Sequence, residues 1–200
     1  RTVAVKDTTD PVISCDSNCG GDFECDDIQA APVVRSDGGE TVTCTSVDKP
    51  GDCDDEWSTV YTCTVHDACQ NSDTNVYTNN YSDSTPPVLT GVPDDKEFEC
   101  GEDLPDAPSA GATDNCDNDV AINVATGNVV SNGYAGIKYT VTATDNCGNT
   151  DVDSVTYTYV DTTPPEISCP GDISVPCSAL PSRPFVSGTD SCGPSTTSAS

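Results

Sequence analysis

The stretch Tyr139-Thr140-Val141-Thr142-Ala143-Thr144-Asp145-Asn146-Cys147-Gly148-Asn149-Thr150 decides the fold. Tyr139, Val141 and Ala143 alternate with Thr140, Thr142 and Thr144, the period of two expected of a strand with one buried face. The run stops at Asp-Asn-Cys-Gly-Asn, where Asp and Asn bond their own backbone and Gly tolerates positive φ, so a turn follows. Downstream, Val155, Tyr157 and Tyr159 alternate with Thr156 and Thr158; upstream, Asn132-Gly133 marks a turn. Short strands separated by turn signals at intervals of about a dozen residues predict an all-β sandwich with little or no helix.

The same stretch recurs. Tyr61-Thr62-Cys63-Thr64-Val65-His66-Asp67-Ala68-Cys69 matches its first nine residues, and Phe23-Glu24-Cys25 matches Phe98-Glu99-Cys100. Three Thr-rich, acidic leads run into proline at Pro11, Pro87 and Pro165, spaced 76 and 78 residues apart. The expected organisation is the end of a preceding module at 1–9, a first repeat at 10–85, a second at 86–163 and the first part of a third at 164–200.

Composition agrees with that organisation and excludes others. The 200 residues hold 7 Lys plus Arg against 34 Asp plus Glu, a formal charge of −27. Leu (3), Lys (4), Glu (7) and Met (0) are scarce, so helical bundles and α/β enzymes are disfavoured. Nucleic acid is excluded as a partner, because phosphate needs cations opposite it. No apolar run reaches the ~18 residues of a spanning helix, so no membrane insertion is expected in this segment. Thirteen cysteines imply bridges, an oxidising compartment and an extracellular or cell-surface location.

The pattern of Thr-Pro-Pro leads, Thr113-Asp114-Asn115-Cys116 and the Tyr139–Thr150 stretch resembles the hyalin-repeat (HYR-like) immunoglobulin-like modules. Such modules stand in tandem in large bacterial surface adhesins and in some animal extracellular proteins. The resemblance implies tandem, disulfide-stapled immunoglobulin-like sandwiches with a structural or adhesive role, and no reaction. In that topology Cys116 and Cys147 fall in two loops of one pole, which implies Cys116–Cys147 and, equivalently, Cys44–Cys69. Cys63 replaces core-facing Val141 and is expected to point inward. Thirteen is odd, and Cys192 is the candidate for pairing outside this chain segment or with another subunit.

The acids have two readings: a solvated, solubilising surface, or calcium binding by carboxylates on loops. The end of one module's last strand leads to the loops of the next. That order brings Asp83 toward Asp114 and Asp145, and Asp161 toward Asp190; these five are the candidate calcium ligands. Other immunoglobulin-like adhesin modules with similar linkers use calcium at junctions, which the resemblance extends here. The Thr-Pro-Pro linkers restrict their own backbone and favour a rod.

No catalytic constellation is recognisable. His66 is the only histidine, and Thr144 stands in its place in the second repeat. The sequon Asn80-Tyr81-Ser82 makes Asn80 a glycosylation candidate. The expected function is a non-enzymatic repeat array in an extracellular filament or long cell-surface adhesin, with copies of itself or further repeats as partners. The alternative is a carbohydrate- or protein-binding ectodomain, recognising glycans or cell-surface ligands through a loop site around Ser46–Trp57 of the first repeat.

Overall fold

A computed structural model describes residues 1, 3, 6–168, 171–176, 178 and 186–193 of the chain. These residues form fourteen strands and no helix. The first repeat contributes β1 (Ile13–Ser17), β2 (Gly21–Glu24), β3 (Val33–Ser36), β4 (Thr43–Pro50), β5 (Trp57–His66) and β6 (Ser72–Ser82). The second contributes β7 (Val88–Thr90), β8 (Lys96–Glu99), β9 (Gly111–Thr113), β10 (Ala121–Ser131), β11 (Tyr134–Thr144) and β12 (Thr150–Val160). β13 (Glu166–Ser168) and β14 (Ser187–Thr189) come last.

Strand pairing repeats with the sequence. β1 lies antiparallel to β3, beside a four-stranded sheet of order β2-β6-β5-β4. Within that sheet β4–β5 and β5–β6 are antiparallel, while edge strand β2 runs parallel to β6. The second repeat has the same plan: β7 antiparallel to β9, and a sheet β10-β11-β12-β8 with β8 parallel to β12. β13 and β14 pair antiparallel as β1–β3 and β7–β9 do. A two-stranded and a four-stranded sheet in each repeat, with a first-strand segment added in parallel to the last strand, is the strand plan of an immunoglobulin-like sandwich.

By internal packing the chain divides into two units. One comprises Arg1–Thr90, Gly111–Asn123 and Thr142–Val152, the other Gly91–Ala110, Val124–Val141 and Asp153–Ser200. In the first, Ile13, Cys63 and Val65 are buried against Val34, Val42, Cys44 and Tyr77. In the second, Tyr139, Val155 and Tyr157 pack with Val92, Phe98, Leu104, Val124 and Ile137. The alternating residues of the deciding stretch therefore do face a core. The Tyr139 hydroxyl donates to the Pro105 carbonyl at 3.2 Å, which satisfies the one polar atom of that ring. Asn132 and Gly133, with φ of 52° and 89°, make the two-residue turn between β10 and β11. Left-handed φ at both positions is what such a hairpin requires.

The cysteines depart from expectation. Cys44 bridges Cys63, not Cys69: the two are directly opposite in the β4–β5 register, with Cα atoms 4.0 Å apart. Cys63 does point inward, but toward its neighbouring strand. Cys116 bridges Cys25 and Cys147 bridges Cys53, so the expected Cys116–Cys147 link is not made. Cys192 bridges Cys100 within this chain, which removes the need for an outside partner. Cys25–Cys116 and Cys100–Cys192 are one device used twice, spanning 91 and 92 residues from the Phe-Glu-Cys segment of one repeat to the Asp-x-Cys turn of the next. Cys15–Cys19 closes the end of β1, and Cys69 is exposed with no partner among the described residues.

Candidate metal centre

Four loops carry the tripeptide Asp-x-Cys, and in all four the Cys amide donates back to the Asp side chain. The distances are 2.8 Å for Cys69 to Asp67, 2.8 Å for Cys116 to Asp114, 3.0 Å for Cys147 to Asp145 and 2.9 Å for Cys192 to Asp190. This Asx turn occupies Oδ1 and leaves Oδ2 to find a partner elsewhere. Asp145 Oδ1 also accepts from Asn149 N at 2.8 Å, and Asp114 Oδ1 from Asp117 N at 3.0 Å.

Asp83 follows β6 in the linker and is held by its own Oδ1, which accepts from Thr85 N at 3.1 Å. The Asp83 carbonyl accepts from Asn149 Nδ2 at 3.2 Å. One carboxylate oxygen from each of Asp83, Asp114 and Asp145 lies within 4.8 Å of the other two. Asp83 and Asp145 are 8% and 6% exposed, and Oδ2 of all three is buried without a hydrogen-bond partner. Burial first, and then the Asp114, Asp145 and Glu24 charges, push the Asp83 carboxyl above the usual Asp range.

Three such groups repel one another. At an effective dielectric of 20, charges near 5 Å apart cost about 3 kcal/mol per pair. Among the described residues no cation offsets this, and the one ion pair is Arg35–Asp16. A hard cation would. Ca²⁺ binds oxygens at about 2.4 Å, so two ligand oxygens on one ion stand at most about 4.8 Å apart. The oxygen spacing and the orphaned Oδ2 atoms both fit that geometry.

Asp83, Asp114 and Asp145, grouped on sequence grounds, thus lie in one place. Asp161 repeats Asp83, with a buried, unpartnered Oδ1, and Asp190 repeats the Asx turn of Asp114. No cluster of three among the described residues includes either. Glu24 was missed: its carboxylate accepts from both N and Oγ of Ser84, and it shares a second cluster with Cys25, Asp83 and Cys116. Glu99 grips Thr162 N and Oγ1 in the same way. The available signal was the repeated Glu-Cys at 24–25 and 99–100.

Other candidates fall elsewhere. Asn80 is exposed on β6 and donates to Asp22 Oδ1 at 2.8 Å. Trp57 stacks on Tyr81 with ring centroids 4.8 Å apart, beside a cavity of about 370 Å³ lined also by Asp22, Glu56 and Asn80. His66 ends β5, exposed, among threonines Thr41, Thr43, Thr45, Thr62 and Thr64. No helix of the described residues is long and apolar enough to cross a membrane.

No protein-family model and no curated protein matches this chain. A solved structure, tandem Ig repeats of Dlar, is similar over 76% of this chain and 100% of that one, at 13% identity and a TM-score of 0.27. The assignment of an immunoglobulin-like sandwich therefore rests on the strand pairing of the two repeats.

Proposed function

We propose that this chain is a structural repeat segment of an extracellular filament or long surface adhesin, in which a divalent cation of the calcium class stiffens the joint between successive repeats. The observation that carries the reading is the recurrent bridge from one repeat to the next, Cys25–Cys116 and Cys100–Cys192. A binding domain needs only its own core; a staple repeated at each junction serves continuity along the chain. The sequence repeats read at 10–85 and 86–163 and the resemblance to HYR-like arrays support it. The role is mechanical rather than catalytic. Asp83, Asp114 and Asp145 are the ligands, and their orphaned oxygens supply the site for the ion. Asp161 and Asp190 form part of the corresponding site at the following junction.

Small-angle scattering of the oxidised chain checks the reading. With calcium chloride the Kratky profile should fall back toward the baseline at high angle, as for a well-ordered particle, and a chelator should raise it toward the plateau of a flexible chain. A compact sphere in both conditions, or a profile indifferent to calcium, would overturn it.

A further inference from the structure

Each carboxylate of the cation site is tied to a long-range bridge. Asp114 stands two residues before Cys116, which is bonded to Cys25, and Cys116 N–H holds Asp114 Oδ1. Asp145 stands two residues before Cys147, bonded to Cys53, with the same Asx contact. Asp83 adjoins Ser84, gripped by Glu24, the residue beside Cys25. The two loops are also tied together, because Asn146 N donates to Asp117 Oδ2 at 3.0 Å. Asn146 Nδ2 in turn donates to Asp55 Oδ2 at 2.7 Å, two residues from Cys53.

We propose that the Cys25–Cys116 and Cys53–Cys147 bridges are positioning elements of the cation site, so that bridge formation and cation affinity are thermodynamically coupled. The inference rests on the cation reading of this junction and adds its regulation by thiol redox state. The physical basis is preorganisation. Without an ion, three ionised carboxylates this close push their loops apart; the bridges withstand that repulsion and hold the oxygens at ligand spacing. Opened, the loops can separate, and the ion must then supply the work of gathering them. Linkage makes the effect reciprocal: whatever raises cation affinity is itself stabilised by the cation. Calcium should therefore protect these bridges from a dithiol reductant. That reaction moves two electrons and two protons from the dithiol to the two cysteine sulfurs, the reductant closing to a cyclic disulfide, and the ion takes no part in it.

The test uses the oxidised full chain and calcium chloride. Titration calorimetry should show affinity at least tenfold weaker in Cys25→Ser/Cys116→Ser and in Cys53→Ser/Cys147→Ser. Cys15→Ser/Cys19→Ser, which removes a local bridge that has no hydrogen bond to the three aspartates, should stay within twofold. Because a bridge variant can fail to fold, the second arm needs none. Wild-type chain is exposed to dithiothreitol with calcium or with chelator, then alkylated and mapped by mass spectrometry. Calcium should slow opening of Cys25–Cys116 and Cys53–Cys147 severalfold and leave Cys15–Cys19 unchanged. Wild-type binding with equal affinity in folded bridge variants, or equal opening rates with and without calcium, overturns the coupling alone. No calcium binding by the wild type overturns the cation reading and the coupling together.

Discussion

Asp67 and Asp83 show how one residue type is driven in opposite directions by its surroundings. Asp67 sits in a turn equivalent to that of Asp145 but belongs to no cluster of three possible metal ligands among the described residues. Its Oδ2 accepts from Asn71 Nδ2 at 2.7 Å, and that bond, with backbone N–H donors to Oδ1, holds its carboxyl below the usual range. Asp83 gains one backbone donor, loses solvent and faces like charges, so its carboxyl is raised. The two contribute to stability in separate windows. A raised acid penalises the fold while ionised; in chelator the penalty is relieved as pH falls from neutral through the raised value toward the ordinary Asp range. A lowered acid, Asp67 or Glu99, stabilises the fold above the ordinary range, and that contribution is lost only as pH falls further, through the depressed value. In chelator the melting temperature should therefore rise on mild acidification and then fall. With excess calcium it should fall from the start, because protons would compete with the proposed ion for Asp83. Scanning calorimetry across that range checks the crossover, and parallel curves with and without calcium would contradict it.

At the scale of elements, the long hairpins carry the sandwich, and close strand approach sets which substitutions they accept. Gly136 is buried on β11, and a Cβ built there would lie 2.5 Å from the Tyr157 carbonyl oxygen and 2.9 Å from Thr158 Cγ2. Replacing Gly by Ala removes unfolded-state freedom and favours folding by about 0.4–1 kcal/mol where the site has room. Here it does not, and overpacking against backbone costs roughly 1–3 kcal/mol, so Gly136→Ala should be destabilising. Gly127→Ala on β10 is the contrast, since the nearest atom, the Lys138 carbonyl oxygen, is 3.9 Å away. Urea midpoints should move in opposite directions for the two. Strands were legible because alternation reports burial directly: Tyr139, Val141, Ala143, Val155 and Tyr157 are all buried. The Asn132-Gly133 turn was legible because few residue pairs accept φ of 52° and 89° in succession. Bridge partners were not, because the Asx turn fixes where an Asp-x-Cys sulfur begins but not the direction in which it reaches. Cys116 and Cys147 share a pole and still bond to Cys25 and Cys53. The three clustered aspartates were found because their order along repeats and linkers could be read without knowing the bridge partners. Glu24 was hidden because its role depends on a backbone group 60 residues away.

For the whole molecule, the consequence of the bridges lies in their order along the chain. Cys25–Cys116, Cys53–Cys147 and Cys100–Cys192 interleave, each loop beginning before the last one closes. Had Cys116 been joined to Cys147, as the loop positions suggested, most of the chain would have remained free to lengthen under load. With the interleaved set, the covalent path from Arg1 to Ser200 jumps from Cys25 to Cys116, runs back to Cys100 and jumps to Cys192. That path holds roughly 50 residues of backbone, about 170 Å at full extension, against about 700 Å for the reduced chain. Pulled from its ends in an optical trap, the oxidised chain should therefore stop lengthening near a quarter of the reduced value, even after every strand has separated. The difference is independent of how firmly the sandwiches are packed, because it counts only covalent bonds. A spacer under tension gains from this: unfolding of one repeat adds little length and leaves its neighbours attached. Extension of the fully oxidised chain beyond about half the reduced length would mean that the bridges do not interleave, and the proposed load-bearing role would fall with them.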